Sequence, residues 1–124
     1  MARVLIAEDD EALRAMCARA LTSSGHDVKT AGDGSEALDI LKGEDGRFDL
    51  LLTDIRMPIM DGIALALATA RDFPDLTILL MTGYADQRER ASGLDAIVHD
   101  VLTKPFTLAV LRGAVEEALL VKTR

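Results

Sequence analysis

Five times along this chain a short apolar run gives way to a segment of helical pattern, and no other feature restricts the fold so tightly. Val4 to Ala7 is continuous and apolar, as a strand buried on both faces reads. Ala12, Leu13, Met16, Cys17, Ala20 and Leu21 follow at helical spacing, with Gly25 as the stop. Val28 to Ala31 reads as a second strand. Asp33-Gly34-Ser35-Glu36 has the spacing of a capping box and opens a helix with Ala37, Leu38 and Leu41 inward, ending at Gly43–Gly46. Phe48 to Thr53 is a third strand. A helix with Ile63, Leu67 and Ala70 on its inner face then runs to about Asp72. Leu76 to Met81 is a fourth strand, and Ala85 to about Leu94 a polar helix. His99 to Thr103 is a fifth strand. Thr107 caps a last helix carrying Leu108, Leu111, Val115 and Ala118 on one face.

Strands alternating with helices predict an α/β fold, a (βα)5 doubly wound five-stranded parallel sheet with helices on both faces. The 124 residues fit one domain, 1–124, with no linker, repeat or separate output domain. In open sheets of this kind ligands sit beyond the carboxyl ends of the strands. Function is therefore to be sought just after each strand.

Composition removes several alternatives. Lys plus Arg is 14 and Asp plus Glu is 21, a net charge of −7, which opposes binding to nucleic acid. Aromatics at 3% leave little for base stacking. No apolar run approaches the roughly 18 residues that span a bilayer, and Val4–Ala7 is too short for a signal peptide, so no membrane contact and a cytoplasmic location are expected. The single cysteine, Cys17, lies on the apolar stripe of the first helix and reads as core. His26 and His99 are isolated and lack metal-ligand spacing.

The strand ends are chemically unusual. Glu8-Asp9-Asp10 follows the first strand, Asp54 the third, Thr82-Gly83 the fourth and Lys104-Pro105 the fifth. If the first and third strands are neighbours, Glu8, Asp9 and Asp54 converge. Clustered carboxylates repel unless a proton or a cation intervenes, and all-oxygen ligands suit Mg²⁺ better than Zn²⁺. Lys104 adds a compact positive charge at the same edge. Asp10 reads as a helix N-cap, and Asp61-Gly62 as the chemistry of a turn that opens a helix.

Glu8-Asp9, the segment Leu52-Thr53-Asp54-Ile55-Arg56-Met57-Pro58-Ile59-Met60-Asp61-Gly62, Thr82-Gly83 and Lys104-Pro105-Phe106 together resemble, over the whole chain, the receiver domain of bacterial two-component response regulators. The resemblance is strongest to single-domain cell-cycle regulators of the CpdR type, adaptors for the ClpXP protease. It implies a flavodoxin-like, CheY-like fold with strand order 2-1-3-4-5 and phosphorylation of Asp54 by a histidine kinase or histidine phosphotransfer protein. It implies Mg²⁺ held by Asp9, Asp54 and the backbone carbonyl of Arg56, with Glu8 acting through a metal-bound water. Thr82 and Lys104 would meet phosphoryl oxygens, Pro105 would follow a cis peptide, and Arg56 and Tyr84 would modulate the phosphoryl lifetime. Such a protein is not an enzyme beyond promoting its own phosphorylation and dephosphorylation. The resemblance also implies that its output is contact with a downstream protein, with the ClpXP protease as the target.

Three departures stand out. Glu8 replaces the commoner Asp. Val101 stands where receivers usually carry a switch aromatic, and Ile97-Val98 where they carry Gly-Ala, so the fourth helix is expected to end early or irregularly. Two other classes remain. A Mg²⁺-dependent phosphatase of the haloacid-dehalogenase class also uses an Asp nucleophile, but needs a second Asp where Arg56 stands, and a guanidinium cannot exchange a proton near neutral pH. A flavodoxin-like mononucleotide binder needs an amide-rich first loop, and Glu8-Asp9-Asp10 would repel its phosphate.

Overall fold

A computed structural model describes residues 2–83 and 91–122. Five strands form one parallel sheet in the order β2-β1-β3-β4-β5: β1 Arg3–Ala7, β2 Asp27–Ala31, β3 Leu50–Asp54, β4 Thr77–Thr82 and β5 Asp100–Thr103. The described helices are α1 Glu11–Ser23, α2 Gly34–Gly43, α3 Gly62–Asp72 and α4 Leu108–Lys122, with a 3-10 turn at Ser92–Leu94. The expected doubly wound sheet and its strand order are therefore present, with strand limits within two residues of the sequence reading. Tyr84, and the polar helix expected from Ala85 to about Leu94, fall mostly outside the described residues. What is described agrees with an irregular end there: the N–H groups of Ile97 and Val98 both donate to the Leu94 carbonyl, each at 2.9 Å.

Strict alternation along the strands builds two cores. Leu5, Ala7, Leu51, Ile78 and Leu80 point to the α2–α3 face, and Val4, Ile6, Leu50, Leu52, Leu79 and Met81 to the α1–α4 face. These side chains are essentially without solvent contact. Hydrophobic burial of this kind on both faces is why the strands read as continuous apolar runs. Leu111, Val115 and Ala118 close the second core as the α4 stripe predicts, and Thr107 caps that helix by accepting the Val110 N–H at 3.1 Å. Val101 packs, half-buried, against the first core.

Two helix faces differ from the sequence reading. In α3 the buried residues are Gly62, Leu65, Ala66 and Thr69; of the three expected inward, Ile63 and Ala70 pack partly buried against the first core, while Leu67 is 50% exposed. The sequence Gly-Ile-Ala-Leu-Ala-Leu-Ala-Thr offers two apolar stripes, and the entry of the helix selects between them. In α1, Ala12 and Met16 are exposed, and the inward face is Cys17, Ala20 and Leu21. Met16 lines the cleft described below, as does Leu13, which also packs, partly buried, against the second core as expected.

The loop between β3 and α3 contains Ile59 at φ 69°, with 84% of its surface exposed. A β-branched residue is poorly suited to the left-handed region, and Ile59 has little buried area to offset the strain. Ile59→Asn should raise thermal stability by about 1 kcal/mol, because Asn tolerates this backbone. A melt showing a lower midpoint would contradict the strain.

Candidate functional site

The register of the sheet places the chemistry. Ala7 pairs with Thr53, Asp54 with Met81, and Thr82 with Thr103. Residues one step beyond these pairs share one edge: Glu8 beside Asp54, and Lys104 beside Gly83. The ladder continues past the strands to hold them there. The Glu8 N–H donates to the Ala31 carbonyl at 3.0 Å, and the Lys104 N–H to that of Thr82 at 2.7 Å. A cis peptide joins Lys104 to Pro105.

Carboxylate oxygens of Glu8, Asp9 and Asp54 lie within 4.8 Å of one another. Glu8 has no exposed surface and Asp54 is 5% exposed, whereas Asp9 faces solvent. Lys104 Nζ lies 2.8 Å from Glu8 Oε1 and 3.1 Å from Asp54 Oδ2. Burial works against the charge on Lys104, but its hydrogen bond to Glu8 and the charge of Asp54 outweigh it and raise the pKa above the ordinary lysine value. Asp9 is pushed above the usual carboxylate value, first by partial loss of solvent and then by the hydrogen bond and charge of Glu8. The donor set therefore fits a hard cation: every ligand is an oxygen, and one ammonium faces three carboxylates.

The acceptor loop is shaped by backbone contacts. Asp61 caps α3 by accepting the Ala64 N–H at 2.9 Å, as the turn chemistry predicts. The Gly62 N–H donates to the Ile55 carbonyl at 2.8 Å, and a Cβ on Gly62 would collide with the Asp54 carbonyl oxygen. Gly62 is thus required by close approach to the backbone of Asp54, a reason the sequence alone does not reveal. A Cβ on Gly34 would likewise strike the Met60 carbonyl, so α2 also buttresses this loop.

The structure brings Glu8, Asp9, Asp54, Arg56, Gly83 and Lys104 to one open cleft of about 820 Å³. Thr82 is 1% exposed at the end of β4, and Arg56 is exposed at the rim. Asp10 is the N-cap of α1, accepting the Leu13 N–H at 3.1 Å. Phe106, part of the Lys104-Pro105-Phe106 segment, also lines the cleft, as do Leu13 and Met16, whose helical spacing gave no sign of it. Cys17 is buried and its thiol is pushed up to about 11, mainly by desolvation, which leaves it inert. His26 Nδ1 accepts the Ala2 N–H at 3.2 Å, away from the cleft.

Known proteins match this arrangement. A family model described as the response regulator receiver domain matches residues 4–116. Response regulator MprA of Mycobacterium avium strain 104 is 38% identical over 122 residues, covering 98% of this chain and 52% of that protein. The chain thus spans about half the length of the curated relatives it matches. A CheY-like receiver domain protein from Methanospirillum hungatei JF-1 superposes with a TM-score of 0.88 at 29% identity, covering 98% of this chain and 95% of that one. Response regulator TrrA of Thermotoga maritima, solved in complex with Mg²⁺–BeF, has a TM-score of 0.82 at 28% identity and covers 95% of this chain and 99% of that one. The phosphatase alternative gains no support. Among the described residues no helix is long and apolar enough to cross a membrane.

Like charges at this edge predict a stability effect. The raised pKa of Asp9 means its ionised form is disfavoured in the fold, so the cost is present at neutral pH and is relieved as pH falls through the folded value. Asp9→Asn should stabilise the metal-free protein by up to about 0.5 kcal/mol, allowing for solvent screening. Asp54→Asn should gain less, because it also removes a partner of Lys104. Melting in EDTA tests this, and a lowered midpoint for Asp9→Asn would contradict it.

Proposed function

The chain belongs to the response regulator receiver domain family, and on that premise we propose that it is a phosphorylation-controlled signalling switch with Asp54 as the phosphoacceptor. The observation that carries this reading is the buried Asp54 carboxylate within 3.1 Å of Lys104 Nζ, beside Glu8 and Asp9. Phosphoryl transfer asks a protein for positioning and charge neutralisation more than for covalent work. An Asp54 oxygen attacks phosphorus, the donor's P–N or P–O bond breaks, and an acyl phosphate remains on Asp54. Lys104 and Thr82 meet the phosphoryl oxygens. That bond is hydrolysable, which suits a reversible signal.

Mg²⁺ is the cofactor in this reading; Asp9, Asp54 and the Arg56 carbonyl would hold it, and Glu8 would act through water. When bound, it would supply positive charge to the phosphoryl oxygens. The oxygen-only donor set supports this choice, as does the Mg²⁺–BeF complex of the Thermotoga relative. Arg56 and Tyr84 each stand two residues after a site residue in the sequence, after Asp54 and Thr82, and in this reading they admit or screen the attacking water. The donor is a histidine kinase or a histidine phosphotransfer protein, and the protein works in the cytoplasm through contact with a target. A finer role as an adaptor for the ClpXP protease rests on the sequence resemblance to cell-cycle regulators. A pull-down comparing wild type with Asp54→Ala tests that role: recovery of the protease by one form and not the other supports it, and recovery by neither removes it.

Acetyl phosphate with Mg²⁺ tests the switch itself. Wild type should gain one phosphoryl group by intact-protein mass, Asp54→Ala none, and Asp9→Asn less than a tenth of the wild-type rate, a loss of about 1.4 kcal/mol or more in transition-state stabilisation. Arg56→Ala should change the phosphoryl lifetime several-fold and leave Mg²⁺ affinity intact. Wild-type rates in Asp9→Asn would mean that the site is misplaced.

A further inference from the structure

We propose that Thr53 is a positioning residue for the phosphoacceptor: its hydroxyl holds the backbone carbonyl of Asp54 and so fixes the direction in which the Asp54 carboxylate leaves the chain. The proposal rests on the receiver reading above. The strand β3 reads Leu-Leu-Leu-Thr-Asp, so a hydroxyl interrupts an apolar run one residue before the acceptor. Thr53 has no exposed surface, and alternation puts its side chain on the face of Leu51, in the core beneath α2 and α3. A purely apolar residue would pack there, so the hydroxyl calls for a reason. Thr53 Oγ1 donates to the Asp54 carbonyl at 2.9 Å, and Met57 Sδ lies 4.0 Å from the same hydroxyl. A threonine hydroxyl has one proton to give. The carbonyl takes it at an ordinary hydrogen-bond length, and the sulfur packs over the pair.

The peptide that joins Asp54 to Ile55 is held at both of its polar groups. Its carbonyl accepts from Thr53, with Gly62 packed against the same oxygen. Its N–H, that of Ile55, donates to the Met81 carbonyl at 3.1 Å. The next carbonyl, that of Ile55, accepts the Gly62 N–H at 2.8 Å. A peptide is planar, so fixing its two polar groups fixes ψ of Asp54 and φ of Ile55 together. The Cα–Cβ bond of Asp54 then has one direction, and the carboxylate keeps only its own rotamers. Thr53 and Ile55 have no exposed surface and Met57 has 8%, so solvent is not at hand to replace the bond if the hydroxyl is lost. Attack on phosphorus depends on the placement of the attacking oxygen, and a displacement of about 1 Å can cost a hundredfold. Thr53 acts through the backbone of Asp54 and does not itself touch the reacting atoms.

Positioning and packing make opposite demands on residue 53. Thr53→Val keeps the shape and loses the hydroxyl, while Thr53→Ser keeps the hydroxyl and leaves a methyl-sized void in the core. At saturating Mg²⁺ and acetyl phosphate, the phosphorylation rate should fall about tenfold in Thr53→Val and stay within about threefold of wild type in Thr53→Ser. Thr53→Ala, which drops the hydroxyl without adding bulk, should lose rate with Thr53→Val. In the metal-free protein, the backbone carbonyl carbon resonance of Asp54 should move upfield in Thr53→Val and Thr53→Ala and stay near its wild-type position in Thr53→Ser. A role in packing alone would make Thr53→Ser the slower of the first two variants. The proposal is overturned if Thr53→Val and Thr53→Ala phosphorylate at the wild-type rate, if Thr53→Ser loses as much as they do, or if the Asp54 carbonyl resonance stays in place without the hydroxyl. A wild-type protein that takes no phosphoryl group would sink the receiver reading instead, while the resonance comparison still decides the tie between Thr53 and Asp54.

Discussion

Lys104 Nζ sits 2.8 Å from a Glu8 carboxylate with no exposed surface and 3.1 Å from Asp54. Three carboxylates within 4.8 Å of one another face this one ammonium. Taking ions out of water costs several kcal/mol per ion unless partners satisfy them, so the edge is tolerable in the metal-free protein because Lys104 reaches two of the three acids. The third, Asp9, keeps contact with solvent. The residual negative charge is what makes the cleft attractive to a hard cation, and it comes from placement rather than from the chain's net charge of −7.

The rest of the molecule serves that placement. Two apolar cores clamp the sheet from both sides, so the register between β1, β3, β4 and β5 leaves no freedom at the strand ends. Slipping one strand by a residue would turn its buried side chains to the opposite face. Residues beyond each strand inherit that precision through one more ladder bond. The loop after Asp54 is held from beneath by Gly62 against its own carbonyl and from the side by Gly34 against Met60. Strain appears at Ile59 in that same loop, where the backbone turns left-handed with a residue ill suited to it.

Sequence reasoning reached the fold because period and burial coincide in a doubly wound sheet. Strands buried on both faces must be apolar throughout, and every expected strand is present. Caps at Asp10, Asp33, Asp61 and Thr107 were legible because a short polar side chain before an apolar run has few other uses. Asp33 accepts the Glu36 N–H at 2.8 Å, although Glu36 returns to the N–H of Gly32 rather than to that of the cap. The inner face of α3 was not legible, because that helix is apolar nearly all round and its rotation is set by Gly62 meeting Asp54. The convergence of Glu8, Asp9, Asp54 and Lys104 could be anticipated from their place after strands. The pairing of Glu8 with Lys104 could not, since sequence does not say which of the converging carboxylates the ammonium reaches.

The acyl phosphate is the central chemical claim, and it can be located directly. Borohydride reduces an aspartyl phosphate to homoserine, which marks the position in a peptide map. After treatment with acetyl phosphate and Mg²⁺, the account predicts homoserine at position 54 and nowhere else, with none formed when Mg²⁺ is chelated. Homoserine at position 9 or 10, or a phosphoryl group that resists reduction because it sits on a histidine, would contradict it.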